Sequence, residues 1–174
     1  MKKTLQLLIV AGALATAPLA LAQDGPAKGA KTVQLNGLYD NFGGFRSWNL
    51  NIGGSMFFSD VLEGIGGIAY SEARDGGVST KATAISLGAN YYFNTNMAQV
   101  QAWHPYVGAR YARYNFSGGG MDGNADSWAG AVGAHYFLRE GVSLNPEFRF
   151  GRVKGGGVSE NQTSFGIGLT IWLN

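Results

Sequence analysis

The stretch T-S-F-G-I-G-L-T-I-W-L-N, Thr163 to Asn174, decides the fold. Phe165, Ile167, Leu169, Ile171 and Leu173 put a large apolar side chain at every second place, and Ser164, Gly166, Gly168 and Thr170 fill the places between. Side chains of a strand alternate between its two faces, so a period of two predicts a strand with one greasy and one small, polar face. A strand at the end of the chain needs partners on both edges, and the first strand of a closed barrel would supply the second. Trp172 falls on the small-residue phase, so either a bulge turns it outward or it plugs the end of the barrel.

Working back from that strand, seven more alternating stretches are expected, with no amphipathic helix between them. They run Val33 to Asn41, Trp48 to Phe58, Leu62 to Glu72, Ala82 to Phe93, His104 to Phe116, Ser127 to Leu138 and Val142 to Gly151. The second is the cleanest, with Trp48, Leu50, Ile52, Met56 and Phe58 opposite Asn49, Asn51, Gly53 and Ser55. In the fifth, Val107, Ala109 and Tyr111 compete with Tyr106, Ala112, Tyr114 and Phe116 for the apolar face, and a bulge between Arg110 and Arg113 would reconcile them. Polar or glycine-rich connections are expected at 42–47, 73–81, 117–126 and 152–162, alternating with turns at Ser59-Asp60 and Arg139-Glu140-Gly141 and a longer connection before His104.

Ahead of the strands, residues 1–22 carry Lys2 and Lys3, an apolar run and a small-residue end at Ala20-Leu21-Ala22, the pattern of a cleavable export signal. Residues 23–31 have no apolar pattern and predict a flexible lead-in, which leaves 32–174 as the barrel. No cysteine follows the apolar run, which argues against a lipid anchor, and with none in the chain there is no disulfide framework. Taking Lys2 and Lys3 from the 13 Lys and Arg leaves as many bases as the 11 Asp and Glu, so no nucleic-acid partner is expected.

Alternating strands build either a soluble barrel, apolar inside, or a membrane barrel, apolar outside. The polar faces decide between them. They carry Gly, Ser, Ala and Asn rather than long charged side chains, and only 14% of residues are charged against about 25% in ordinary domains. Such faces suit a narrow enclosed lumen. Strands of about ten residues cross a bilayer when tilted. Tyr39, Trp48, Phe58, Tyr91, Phe93, Tyr106, Phe116, Trp128 and Tyr136 lie near strand ends, as interfacial girdles require. Backbone groups in lipid must all be paired, so a spanning sheet has to close. The expectation is an all-β, eight-stranded antiparallel transmembrane up-and-down β-barrel.

Four segments carry a family likeness: Pro105-Tyr106-Val107-Gly108-Ala109, Gly133-Ala134-His135-Tyr136-Phe137, Leu144-Asn145-Pro146-Glu147-Phe148-Arg149-Phe150, and the terminal strand. With them the chain resembles the small eight-stranded outer-membrane β-barrels, similar to the OmpA barrel domain, OmpX and the opacity-type surface proteins. The resemblance implies a bacterial outer-membrane location, periplasmic termini and extracellular loops at 42–47, 73–81, 117–126 and 152–162. It implies contact with outer-membrane lipid and insertion by the assembly machinery, which reads the last strand, Phe165 to Asn174. Members usually finish on an aromatic residue, whereas this chain finishes Trp172-Leu173-Asn174.

Candidate chemistry is confined to the lumen. Glu63, Arg110, His135, Asn145, Glu147 and Arg149 are expected to face inward as a polar cluster, structural or pore-lining, with Glu147 paired to an arginine because a lone buried charge is costly. Asp122, Asn124 and Asp126 imitate the start of a calcium loop, but Ser127 and Gly133 stand where glycine and glutamate are needed, so no metal site is expected. The histidines, His104 and His135, have no serine at a hydrolase spacing. No cofactor and no enzymatic activity are expected. The leading expectation is a monomeric, non-enzymatic barrel serving envelope structure or surface interaction. A narrow passive channel is the alternative.

Overall fold

A computed structural model describes residues 28–42, 45–75, 77–93, 103–118 and 122–173, with the side chains of 38–42, 45–47, 75 and 158 left aside. The expected export signal, residues 1–22, and positions 23–27 of the lead-in lie outside the described residues.

Eight antiparallel strands close in sequence order: β1 Lys31–Phe42, β2 Phe45–Phe57, β3 Leu62–Asp75, β4 Val78–Tyr92, β5 Trp103–Ser117, β6 Gly123–Arg139, β7 Val142–Gly155 and β8 Val158–Leu173. β8 pairs with both β7 and β1, so the terminal strand has the two partners its alternation demanded. The second ladder is short, running only from Lys31↔Leu173 to Asn36↔Gly168.

Alternation sorts the side chains as a membrane barrel requires. Ile68, Ile85, Leu87, Val132, Phe165 and Ile167 are exposed on the outside, while Gly, Ser, Ala and Asn turn inward. Aromatics flank this band at both ends. At the loop end Trp48 packs on Tyr70 and Tyr111 on Trp128, with ring centroids 5.0 and 4.4 Å apart. At the end where β1 begins and β8 stops, Trp103 packs on Tyr136 at 4.8 Å. Beyond Trp128 the outer face turns polar: Tyr111 donates to Asp126 (2.7 Å), which also pairs with Arg113. Amphipathic rings at two levels separated by an apolar belt match the two bilayer interfaces.

Three expectations need correction. The fifth strand has no bulge at Arg110 to Arg113: its register runs unbroken from Tyr92↔Tyr106 to Lys81↔Ser117. Tyr106, Arg110 and Tyr114 share the inward phase, and Tyr106 is buried rather than part of an outer girdle. The irregularity lies in β6, between Phe137 and Arg139. The polar connections are also shorter than expected, because β3 and β4 continue to Asp75↔Val78 and β7 and β8 to Gly155↔Val158. Gly156 and Gly157 make that last turn with φ of 57° and 82°, a conformation open chiefly to glycine. Finally, the end of the lead-in is held against β2: Gly29 N–H donates to the Phe57 carbonyl and Phe57 N–H to that of Ala30, both at 2.9 Å.

Candidate functional site

The expected lumenal cluster is divided into layers. At the end where β1 begins and β8 stops the lumen is filled by aromatic rings. Phe57 from β2, Tyr92 from β4, Tyr106 from β5, His135 from β6 and Trp172 from β8 form a closed circuit. Successive centroids are 5.2, 5.3, 5.7, 5.2 and 5.5 Å apart. Phe137 packs on Trp172 at 5.1 Å. Of the two alternatives for Trp172, the inward one holds: it is 2% exposed. Its indole Nε1 donates to Ser143 Oγ at 2.9 Å, and the same hydroxyl lies 2.9 Å from His135 Nδ1. Strand ends on five staves thus supply the rings, and Ser143 on β7 pins two of them.

Glu63 sits beside this plug, with no direct ion pair to the other expected charges but within electrostatic reach of Arg110. It accepts hydrogen bonds from Asn90 Nδ2 (2.8 Å), Tyr92 Oη (2.7 Å) and Ser55 Oγ. Its position is set by β3's pairing with β2 and β4, which places Phe57 and Asn90 directly across from it.

Above the plug, Glu147 gathers two of the expected partners. Tyr106 Oη donates to its Oε2 at 2.8 Å, Arg110 Nη2 to the same oxygen, and Arg149 Nε to Oε1. Arg110 is 11% exposed and spends Nη1 on the carbonyls of Ala89 (3.2 Å) and Ala109 (3.1 Å), whereas Arg149 is 45% exposed. Asn145 lies one step nearer the plug and accepts from Thr170 at 3.4 Å. Thus Arg110, Glu147 and Arg149 meet, Glu63 and His135 belong to the plug layer, and Asn145 lies between.

The charged trio floors a polar cavity of about 300 Å³ that runs toward the loop end, past Asn36, Asn51, Ser86 and Gln162. Its amides and hydroxyls accept and donate hydrogen bonds without net charge. Among the described residues no group of side chains could hold a metal ion. The arrangement therefore offers solvation and ionic contact to a small polar group, while the Ser143 hydroxyl and His135 that meet below it are both fully buried in the plug.

Sequence reasoning missed Phe57, Tyr92 and Tyr106 as plug members. Tyr92 already fell on the inward phase of the fourth stretch, so parity marked it; the closed circuit depends on β2, β4, β5, β6 and β8 meeting across a lumen that no single strand reveals.

The sequence model of the family described as "Outer membrane protein beta-barrel domain" matches residues 7–170. No curated protein sequence matches the chain. Among solved structures, the chain is similar to Neisserial surface protein A at 17% identity. That alignment covers 82% of this chain and 94% of that one, with a TM-score of 0.55. The outer membrane protein OprG from Pseudomonas aeruginosa aligns at 14% identity over 87% and 99%, TM-score 0.52. The N-terminal β-barrel domain of Pseudomonas aeruginosa OprF aligns at 20% identity over 84% and 98%, TM-score 0.51. At such identities the likeness concerns the fold.

Proposed function

The chain belongs to the outer membrane protein β-barrel family, and from that premise we propose that it acts as a non-enzymatic, plugged barrel that serves the envelope as a structural and surface element rather than as a channel. The observation that carries this reading is the circuit of Phe57, Tyr92, Tyr106, His135 and Trp172. Open aqueous channels belong to barrels of about 16 strands or more. Here the barrel is eight-stranded, and its narrow bore is filled with rings in tilted, stacked and T-shaped contact.

The remaining features follow from that premise. Residues 1–22 direct export and are removed, the termini face the periplasm, and the assembly machinery reads Phe165 to Asn174. The four hairpin ends within 42–47, 73–81, 117–126 and 152–162 face outward as the contact surface. The tight turns at β3–β4 and β7–β8 leave little of that surface for a large partner, which favours the envelope role.

Recordings from the purified, full-length barrel in planar bilayers test the proposal. A quiet baseline is expected; stable, reproducible conductance steps would overturn it in favour of the narrow channel.

A further inference from the structure

The ladder that closes the barrel stops halfway. β1 continues to Phe42 and stays paired with β2 throughout, and β8 stays paired with β7 from Val158 onward. Yet among the described residues β1 and β8 pair with each other only as far as Asn36↔Gly168. Toward the loop end each strand therefore has one edge without a ladder, at a depth where unpaired backbone groups facing hydrocarbon are costly.

This incomplete seam meets the polar cavity. Gly37 on β1 and Phe165, Gly166 and Ile167 on β8, the residues next in line for pairing, all border it. In the β7–β8 register Glu147 lies opposite Gly166 and Arg149 opposite Ser164, so the ion pair is one strand from the seam. Gly166 is on the inward phase between them. It carries no side chain, and a Cβ there would meet nothing within 4 Å. On the outer side Phe165 and Ile167 are 62% and 57% exposed in the apolar belt.

Arg149 supplies the polar terminus of this path. Its Nε holds Glu147, and among the described residues its two Nη groups make no hydrogen bond to the protein. Arg110 has donated Nη2 to the same carboxylate, so the floor of the cavity carries two guanidinium groups and one carboxylate. A guanidinium edge with free Nη groups pairs best with a planar oxoanion.

We propose that the seam between β1 and β8 is a side entrance through which a single-chain anionic amphiphile, of the fatty-acid type, passes from the bilayer into the well. Its carboxylate docks on Arg149. Its chain runs past Gly166 and out between Gly37 and Ile167 into the outer-leaflet hydrocarbon. A cavity of about 300 Å³ takes the head and the first methylenes of one chain, not a two-chain lipid. The site goes beyond the plugged-barrel reading, because it opens sideways into lipid and needs no passage through the plug.

The test uses the full chain folded into phosphatidylcholine nanodiscs and titrated with carboxyl-13C palmitate. A separate, saturable protein-bound carboxyl resonance is expected, which hexadecanol does not displace and acetate displaces only weakly. Arg149→Gln should weaken binding about tenfold, the ratio expected for one charge-assisted hydrogen bond. Gly166→Trp should do the same by obstructing the path, with Gly166→Leu as the milder variant if the tryptophan disturbs folding. Thr83→Trp, on the lipid face of β4, should leave binding unchanged. Absence of a bound resonance in the native chain, or binding retained in the folded Gly166 variants, would overturn the side entrance. Equal binding of hexadecanol would overturn recognition of the anionic head. Acetate binding as tight as palmitate would assign the site to free anions arriving from the loop end instead.

Discussion

Replacing Glu147 by alanine leaves the Arg110 guanidinium without its carboxylate partner in a narrow lumen. In the native barrel Glu147, 7% exposed, accepts from Arg110, Arg149 and Tyr106. Without it, Arg110 keeps the carbonyls of Ala89 and Ala109. Removing one partner of a buried pair costs about 3–5 kcal/mol, and the adjoining polar cavity, which lets water reach the guanidinium, places this case near the lower end. Arg149 adds little, since an exposed pair is worth about 1 kcal/mol at most. The Tyr106 hydroxyl loses an acceptor worth about 1 kcal/mol, partly recovered by water. A net loss of about 3 kcal/mol, with a urea slope of about 2 kcal/mol/M, moves the unfolding midpoint down by about 1.5 M at unchanged slope. Tryptophan fluorescence of the barrel in lipid vesicles reads this directly. The double variant Glu147→Ala/Arg110→Ala should be less destabilised than the sum of the two single ones, with a coupling of about 2 kcal/mol. A midpoint change below about 0.3 M, or strict additivity, would refute the assignment of this trio as a mutually dependent unit.

Phe57→Ala/Trp172→Ala opens the aromatic circuit at two neighbouring rings, and current steps absent from the native barrel should appear in planar bilayers. Gly151→Ala should destabilise by about 1–3 kcal/mol in the same urea assay, because its Cβ would be driven into the Trp128 carbonyl and Ala129, while Gly166→Ala, with open space around it, should change the midpoint by less than about 0.5 kcal/mol equivalent. Detergent-folded protein should migrate as a compact species on a gel and slow only after boiling, since the ladders of a closed sheet must be broken together; identical mobility before and after would contradict closure.

The alternation in β2, β4, β7 and β8 was legible because lipid rewards large apolar side chains on one face and an eight-stranded lumen admits mostly small ones on the other. β5 was not, and for the same reason inverted: Tyr106, Tyr114 and Arg110 fill the lumen, so both faces carry bulk and the contrast that sets the phase disappears. Ala73 to Lys81 read as a loop because its residues are polar, yet a hairpin above the bilayer can continue its ladder with water on both faces. The charges were expected inside the barrel from strand parity, but their division between plug and well follows from height along neighbouring strands. Glu63 lies near the start of β3 and Glu147 near the middle of β7, and only the registers with β2, β4 and β8 place them in separate layers. The short β1–β8 ladder has no mark in either strand's sequence.

A lumen open toward the loop end and sealed by rings at the other is accessible from one side only, and one labelling experiment tests this. The chain has no cysteine, so Asn51→Cys places a single thiol in the wall of the well. With the barrel oriented in vesicles, a membrane-impermeant maleimide added on the loop side should modify that thiol, and the same reagent added only on the side of the chain termini should not. Modification at similar rates from both sides would contradict the plug.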